Sequence, residues 1–416
     1  MKIWILNHYA TDMYFDGGGR HQSLAKYLIK LGHDVKIFCA NTVHNSSSIV
    51  DTEGNLCVEK IGKDEVPYIF IKTRPYQGNG KSRILNMIDY YKGVNKVLHM
   101  YVRQYGAPDI FYASSVHPLA LIAGIKAKKK YGGMSICEVR DLWPETLVEL
   151  GKIDGQSVFA KLMYCGEKWI YKKADKIIFT MQGGRDYVQK KGWSKWIPES
   201  KIFYLNNGVD LEEFTLFKKK YELVDPDLTD ADIFKVIYAG SIREVNGVEK
   251  LLDVGIELRR RHIKDIKVLI YGDGTLKEEL ESRAKRENID DIILFKGRVD
   301  KKYIPYVVSQ ADLNIVVGKK SNIARYGVSW NKLFEYIAAR KPIVADFDLG
   351  KYNLIEKEHL GKAKKFSSIT ALVDIILAIR NKAESESNFS EEAIQCIAEK
   401  YDYKFLAEEL LKIIEG

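Results

Sequence analysis

Short apolar runs alternate with amphipathic stretches along the whole chain. In the first half, apolar runs predict strands at residues 2–7, 34–39, 67–73, 109–113, 134–139, 175–180 and 201–205. Between them, apolar residues recur at helical spacing near residues 20–31, 82–104, 118–130, 156–174 and 182–191. Strands that alternate with helices in this way predict a parallel sheet covered on both faces.

The second half repeats the scheme. Strands are predicted at 234–239, 266–271, 292–296, 312–317 and 342–346, and helices near 247–262, 275–287, 301–310, 331–340, 352–359 and 368–383. The chain is therefore predicted to be an α/β protein with two doubly wound, Rossmann-like domains that face one another across a cleft. Because open parallel sheets bind ligands at the carboxyl ends of their strands, functional residues are expected on the loops that follow the strands.

A domain boundary is predicted near residue 210. The chain of 416 residues exceeds what one core usually supports. An Asn-Gly turn at Asn207-Gly208 precedes a polar, charged segment over 215–232. The expected units are 1–210 and 211–395, followed by a last helical stretch, 396–416, which the residues alone would let pack on either domain.

Composition narrows the function classes. No apolar run reaches the roughly 18 residues that a membrane span needs, and the start of the chain reads as a strand, so a cytoplasmic protein is expected. Five scattered cysteines without a C-x-x-C pair indicate neither a disulfide framework nor a zinc site.

The net charge is +8 over residues 1–215 and +1 over the rest. A basic first half can attract nucleic acid, anionic lipid or phosphorylated substrates, and nucleic acid is disfavoured because no nucleic-acid-binding motif is present.

The segment from Tyr326 to Tyr336 is the strongest functional signal. A Gly-rich turn precedes a predicted helix that carries Lys332 and Glu335 in its first turns. Free N–H groups and the positive end of the helix dipole favour an anion such as a nucleotide diphosphate. Lys332 adds a cation, and Glu335 can accept from ribose hydroxyls. An ordinary capped helix is the alternative that this segment alone leaves open.

Other strand-end loops of the second half carry glycine and polar residues. The donor-binding candidates there are Gly240, Ser241, Arg243, Gly297, Arg298, Val299, Gly327, Val328, Ser329 and Asn331. Each loop is a weak signal by itself, and their recurrence at successive strand ends strengthens the prediction.

Three loops of the first half also stand out. Gly17, Gly18 and Gly19 open a predicted helix and permit close approach of a ligand, although a plain flexible turn is the alternative. His117 could bond a sugar hydroxyl or a phosphate, or be a satisfied loop residue. Arg140 and Asp141 could orient an acceptor, with Asp141 as a proton acceptor, or form an ion pair that caps the next element.

These residues resemble the family 4 glycosyltransferases of the GT-B fold over essentially the full chain. The similarity is greatest to a bacterial branch related to fucosamine transferases of surface-polysaccharide assembly. That branch shares the string Arg140 to Glu145, the turn Asn207 to Asp210 and the Tyr-Gly-Val-Ser-x-Asn-Lys-Leu helix start. The resemblance implies an acceptor-binding first domain, a nucleotide-sugar-binding second domain and a final helix that returns to the first.

Site roles are carried over by the same resemblance. It implies that the glycines 17–19 and Lys332 lie at the donor diphosphate, His117 at the donor sugar, and Glu335 at the ribose. Residues 297–299 would meet the base. His117, Asp141, Lys332 and Glu335 are the catalytic candidates. The resemblance also implies retention of anomeric configuration with neither a metal ion nor a cofactor.

The sequence departs from the broader family pattern. The first of two motif glutamates falls on Gly327, and the usual phosphate clamp falls on Gly240-Ser241 and Asn246-Gly247. Arg243 is then the nearest candidate cation. A degenerate nucleotide-sugar-binding subunit without turnover therefore stays open as an alternative, and a UDP-sugar 2-epimerase is a weaker one.

The expected reaction is sugar transfer from a nucleoside-diphosphate donor, with UDP favoured, to a polyprenyl-diphosphate-linked saccharide. Basic and aromatic residues interleave over 74–105. Such a segment suits an anionic headgroup region, so peripheral attachment to the inner face of the plasma membrane is a further expectation. A solvated helix with a core-facing stripe is the alternative for this segment.

Overall fold

The chain forms two compact units in the computed structural model. The first unit comprises Met1–Asn206 and Tyr403–Gly416, and the second comprises Asn207–Asp402. The structure describes the chain except for residues 45, 47, 79, 116, 320 and 382–390, and it describes residues 391–394 and 396 by backbone alone. The chain passes between the units four residues before the predicted boundary.

The elements of the first unit follow the predicted order. They are β1 (Lys2–Leu6), α1 (Thr11–Asp16), α2 (Arg20–Lys30), β2 (Asp34–Ala40), β3 (Cys57–Ile61), β4 (Pro67–Ile71), α3 (Lys81–Tyr105), β5 (Ile110–Ser114), α4 (Pro118–Tyr131), β6 (Met134–Val139), α5 (Glu145–Glu149), α6 (Val158–Lys173), β7 (Lys176–Phe179), α7 (Gly184–Lys190), β8 (Ile202–Tyr204) and, from the chain end, α17 (Tyr403–Glu415). Eight strands form one sheet in the order β3-β4-β2-β1-β5-β6-β7-β8. The predicted parallel arrangement is wrong at one edge, because β3 runs antiparallel to β4.

Side chains that alternate along these strands divide the core between two helical layers. Ile3 and Ile5 of β1 pack in one cluster with α2 and α17. Trp4 points the other way, where its ring lies 6.2 Å from that of Tyr101 in α3. On that side α3 packs against α4, and α4 against α6. Alternate side chains of a strand are therefore buried on opposite faces of the sheet, as a parallel sheet with helices on both faces requires.

The second unit contains β9 (Phe234–Ala239), β10 (Ile266–Tyr271), β11 (Ile293–Gly297), β12 (Leu313–Val316), β13 (Ile343–Ala345) and β14 (Gly361–Ala363), with α8 (Leu211–Lys220), α9 (Pro226–Thr229), α10 (Glu249–Arg260), α11 (Lys277–Arg286), α12 (Ile304–Ser309), α13 (Asn331–Ala338), α14 (Leu354–Lys357), α15 (Ile369–Arg380) and α16 (Glu391–Lys400). Its sheet has the order β11-β10-β9-β12-β13-β14. The described strand pairs of this sheet are parallel. The predicted helix 368–383 corresponds to α15, and its last two residues lie outside the described residues.

The last stretch of the chain divides between the units. α16 packs on α13 in the second unit, whereas α17 packs on α2 in the first. Leu406 and Leu410 of α17 are buried in the core of the first unit. The predicted single stretch 396–416 is therefore interrupted, and its first residues up to Asp402 belong to the second unit.

Among the described residues, no helix combines the length and the apolar character needed to cross a bilayer.

Candidate functional site

Glycines at the strand ends of the second unit bring three predicted loops together. The N–H of Gly240, after β9, donates to the carbonyl of Tyr271 over 2.9 Å, and the N–H of Gly272, after β10, donates to that of Gly297 over 2.8 Å. A Cβ at Gly272 would lie 1.8 Å from the carbonyl oxygen of Gly240. The backbones approach so closely that only glycine fits at position 272.

Helix α13 begins directly beside this edge. The hydroxyl of Tyr336 accepts from the N–H of Ala239 over 2.9 Å, which fixes α13 to the end of β9. The half-buried Lys332 places its Nζ 4.1 Å from the centre of the Tyr238 ring. A Cβ at Gly240 would lie 2.5 Å from the same Nζ. The predicted residues Lys332 and Gly240 therefore face one another.

The electrostatic state of Lys332 suits an anionic ligand. Among the described residues, no carboxylate lies within ion-pair distance of its Nζ. Burial lowers the pKa of Lys332 to about 8, and the charge of Glu335 opposes this shift only in part. Burial also raises the pKa of Glu335, opposed by Lys301 and Lys332. A desolvated cation without an ion-pair partner carries a free-energy cost, and a bound phosphate would relieve that cost.

The start of α13 is positioned by a residue that the sequence prediction did not place in the site. Asn207 Nδ2 donates to the carbonyl of Ser329 over 2.5 Å and to Oδ1 of Asn331 over 2.9 Å. Trp330, at the N-cap position of α13, makes no capping hydrogen bond with its side chain. The side-chain amide of Asn207 thus holds the start of the helix through the carbonyl of Ser329 and the side chain of Asn331. The Asn-Gly turn was interpreted as a domain boundary and as part of the family resemblance, without a role in the site, and its polar side chain was the available signal.

The loop after β9 is held by its own polar residues. Asn246 Nδ2 donates to the carbonyl and to Oγ of Ser241, over 2.6 Å and 2.8 Å. The hydroxyl of Tyr238 donates to the same carbonyl over 2.9 Å. Arg243 is exposed at the beginning of the turn that ends at Gly247. Ser241 and Asn246 therefore shape the loop, and Arg243 stays available to solvent.

The remaining candidates of the second unit differ in exposure. Arg298 is exposed, and Val299 is half-buried against a small core cluster. Gly327 has φ +92°, a left-handed conformation that favours glycine. Val328 is buried. The backbone at 327 would be strained by the glutamate of the family pattern, which accounts for the glycine.

In the first unit, the three predicted glycines join two helices. Gly17 follows α1 with φ +61°, and Gly19 precedes α2 with φ +112°. Sequence reasoning missed the short helix α1 between β1 and these glycines. The start of α2 is occupied by Arg20, a buried residue whose Nε donates to Glu138 over 2.6 Å.

Glu138, at the end of β6, is the centre of a buried polar network that sequence reasoning did not single out. Besides Arg20, its carboxylate accepts from Ser114 Oγ over 2.6 Å and lies 2.9 Å from Nε2 of His21. Arg20 and His21 hold the pKa of Glu138 well below its usual range against the opposing effect of burial. The network ties the ends of β5 and β6 to α2.

His117 is buried and paired with a second histidine. Its Nε2 lies 2.6 Å from Nδ1 of His8, and that ring stacks on Tyr9 with centroids 4.3 Å apart. Burial lowers the pKa of His117 to about 3, so the ring is neutral at physiological pH. Its Nδ1 has no partner among the described residues. It can therefore bond a ligand without carrying charge.

Arg140 and Asp141 follow β6. The N–H of Arg140 donates to Oγ of Ser115 over 2.9 Å, which fixes the loop. Asp141 is exposed to solvent on one side. Loss of water to the surrounding protein raises the pKa of its carboxyl, and the charge of Arg140 opposes this shift. Asp141 is also one of the residues that line a cavity of about 150 Å³ between α4 and α6. The predicted proton acceptor thus borders an apolar space.

Family comparisons agree with this architecture. The family "Glycosyltransferase Family 4" matches residues 16–213, and "Glycosyl transferases group 1" matches residues 224–395. The chain therefore belongs to the family 4 glycosyltransferases. The family resemblance predicted from the sequence is confirmed.

Two curated relatives are similar to parts of the chain. Alpha-D-kanosaminyltransferase of Streptomyces kanamyceticus is 23% identical over 59% of this chain and 62% of its own length. The probable glycosyltransferase WbjE of Pseudomonas aeruginosa is 24% identical over 51% of this chain and 50% of its own length. The chain thus spans between half and about three fifths of these relatives.

Solved structures share the fold over the whole chain. Sucrose-phosphate synthase of Thermosynechococcus elongatus has a TM-score of 0.70 at 16% identity, covering 100% of this chain and 98% of that one. HepE of Anabaena in complex with UDP has a TM-score of 0.65 at 14% identity, covering 100% of both chains. WaaG, a glycosyltransferase involved in lipopolysaccharide biosynthesis, has a TM-score of 0.63 at 13% identity, also covering 100% of both. The predicted GT-B fold is confirmed.

Proposed function

We propose that this protein transfers a sugar from a nucleoside-diphosphate donor to a lipid-linked saccharide in the assembly of a surface glycan. The observation that carries the proposal is the state of Lys332 at the start of α13. This half-buried cation has no ion pair among the described residues, and its Nζ lies beside Gly240 at the end of β9. A uridine diphosphate donor is favoured because HepE, which shares the fold, binds UDP.

The diphosphate is the chemical difficulty in such a transfer. The bond between the anomeric carbon and the diphosphate oxygen breaks, and the acceptor oxygen bonds to that carbon and loses its proton. Charge that grows on the leaving diphosphate is stabilised by fixed cations and by a helix start. Lys332 serves this role, and Arg243 is a second, exposed cation on the neighbouring loop. In this proposal Glu335 binds the ribose hydroxyls.

The first unit supplies the acceptor side in this proposal. Asp141, whose pKa is raised, accepts the acceptor proton, while Arg140 orients the acceptor. The neutral His117 bonds the donor sugar through its unpaired Nδ1. Retention of configuration and independence of metal ions and cofactors are part of the proposal, because the family resemblance implies them.

The acceptor class is proposed from the relatives. WaaG is described as acting in lipopolysaccharide biosynthesis, and a poly(ribitol-phosphate) alpha-N-acetylglucosaminyltransferase of Staphylococcus aureus is 24% identical over 40% of this chain and 33% of its own length. Both names indicate surface glycans, and a polyprenyl-diphosphate-linked saccharide at the inner face of the membrane is the acceptor that we propose. The basic excess of the first half supports an anionic partner.

A ligand screen followed by a turnover assay tests the proposal. UDP, GDP, CDP and ADP are compared by thermal shift, where a ligand at 100 times its dissociation constant should stabilise by about 2.7 kcal/mol. UDP-sugars are then incubated with the chain and a polyprenyl-diphosphate-linked saccharide, and released UDP and extended acceptor are measured. Failure of every nucleoside diphosphate to bind would refute the donor assignment.

A second candidate is a binding subunit without turnover. The observation behind it is Gly327, which stands where the family pattern has a glutamate, at a φ of +92° that a glutamate would adopt only with strain. It predicts UDP-sugar binding with neither transfer nor hydrolysis. Extended acceptor in the assay above excludes it.

A further inference from the structure

Helix α6 of the first unit turns apolar side chains toward solvent. Val158, Phe159 and Leu162 are 74%, 60% and 65% exposed, and Trp169, two turns on, is also exposed. Residues 158, 162 and 169 fall on one side of a helix. The opposite side, which holds Ala160 and Tyr171, is buried in the unit. We call the four exposed side chains the α6 stripe.

The charges next to the α6 stripe are positive. The helix carries four lysines, at positions 161, 168, 172 and 173, and one acid, Glu167. Glu167 is buried and accepts from the hydroxyls of Tyr171 and Tyr187 over 2.7 Å and 2.8 Å. The exposed surface of α6 therefore combines apolar groups with lysines and lacks an acidic group of its own.

A second tryptophan extends the same surface. Trp196 is exposed, and Nζ of Lys168 lies 3.2 Å from the centre of its ring. Aromatic rings beside lysines are the composition of helices that lie in a membrane interface, where the rings enter the acyl boundary and the ammonium groups reach the headgroups.

We propose that the α6 stripe docks this protein on an anionic lipid bilayer. The positive charge of α6 complements phosphate headgroups, and its apolar stripe supplies the inserted area. A second copy of the chain fits less well, because pairing α6 with α6 would bring like charges together. The segment 74–105, for which the sequence predicted membrane attachment, is less suited, because Tyr90 and Val94 of α3 are buried. Its exposed large apolar groups are split between the two ends of the helix, with Ile84 and Leu85 at the start and Met100 and Tyr105 at the end.

A cavity lined partly by α6 also has Asp141, the proposed proton acceptor, among its lining residues. Met163, Gly166 and Ile170 of α6 line it, as do Leu121 and Ile122 of α4. If the proposed lipid-linked acceptor is correct, docking through α6 brings the apolar chain of that acceptor close to this cavity. This last step rests on the proposed function, whereas docking does not.

Flotation of the full chain with vesicles tests the docking surface. The vesicles contain phosphatidylcholine with 40% phosphatidylglycerol, or phosphatidylcholine alone, and no nucleotide is added. We expect binding to the anionic vesicles only, a loss of at least tenfold for Phe159→Asp with Leu162→Asp, and a loss of about fivefold for each lysine of α6 changed to glutamine. The matched control is Leu216→Asp in α8, whose side chain is 54% exposed.

One comparison variant makes the outcome decisive. Ile84→Asp alters the first turn of α3, where the side chain is 57% exposed. Loss of binding in this variant, with full binding of the α6 double variant, would overturn the proposal in favour of α3. Equal binding of all variants, or a dimer by light scattering that only the α6 changes dissolve and no vesicle binding, would also overturn it. Thermal denaturation confirms that each variant is folded.

A native thiol gives an independent readout. Cys165 is exposed on α6 next to the stripe. An environment-sensitive fluorophore on this thiol should shift to shorter wavelength with anionic vesicles, and Cys165→Ser provides the labelling background. UDP binding is measured in parallel by calorimetry on the same variants. Unchanged UDP affinity with lost flotation separates failure of docking from failure of the proposed function.

Discussion

Replacing Lys332 by methionine should weaken donor binding and stabilise the second unit at the same time. Methionine preserves the length and much of the packing over the Tyr238 ring but removes the charge. In the free protein that charge is half-buried 4.1 Å from an aromatic centre without an ion pair among the described residues. The variant therefore separates the cost of holding the cation from its benefit to a bound diphosphate.

The size of each effect follows from the site. A hydrogen bond to a charged group is worth about 1.5–3 kcal/mol, so UDP affinity should fall about 10- to 150-fold. The pKa of Lys332 falls from 10.5 to about 8, which sets an upper limit of about 3 kcal/mol on the cost of the buried charge at pH 7. Residual hydration of a half-buried side chain reduces this to about 1–2 kcal/mol, a rise of roughly 2–8 °C in Tm.

The sign of the pH dependence is fixed by the direction of the shift. A lysine whose pKa is lowered on folding costs stability below its folded pKa, and this cost disappears as the pH rises past its unfolded pKa. The gain in Tm should thus be greatest near pH 7 and vanish above about pH 10.5. Calorimetry with UDP and differential scanning calorimetry measure the two effects, with the exposed Lys264→Met as the matched control. Unchanged UDP affinity in a folded Lys332→Met variant would refute the reasoning.

Three further changes test other parts of the structure. Lys332→Arg stays charged, so its UDP affinity should remain level by calorimetry where that of the wild type falls as the pH rises through about 8. Gly240→Ala places a Cβ 2.5 Å from Nζ of Lys332, at a φ of +158° that also disfavours a side chain. We expect about tenfold weaker UDP binding by calorimetry together with a lowered Tm, and an unaltered affinity would contradict the assigned contact. Glu138→Gln should destabilise the first unit by about 3–5 kcal/mol in urea at pH 7, because Arg20 loses its buried partner. Because the pKa of Glu138 is depressed, this difference in unfolding free energy should persist above about pH 4.3 and diminish at lower pH. A difference that does not change with pH would contradict the assigned charge of Glu138.

The sequence by itself determined the fold class and the positions of most strands. Apolar runs predicted every strand of both sheets except β3 and β14, because a strand buried on both faces must be apolar along its length. β3 lies at an edge, where the consecutive Glu59 and Lys60 interrupt the apolar run, and β14 is Gly-Lys-Ala, which contains no such run. The family resemblance, carried by the residues of the α13 start, was also available from the sequence.

Only the tertiary structure decided which candidates meet and in what state. Spacing placed Lys332 on a helix start, but the packing of α13 on the end of β9 put its amino group against Gly240 and removed enough water to lower its pKa. His117 carried no sign of its pairing with His8, 109 residues away. The outward apolar face of α6 was equally hidden, because helical periodicity marks an apolar side without saying whether it faces the core or solvent. Contacts between distant residues, and the loss of water that they cause, are set by the folded chain and not by local pattern.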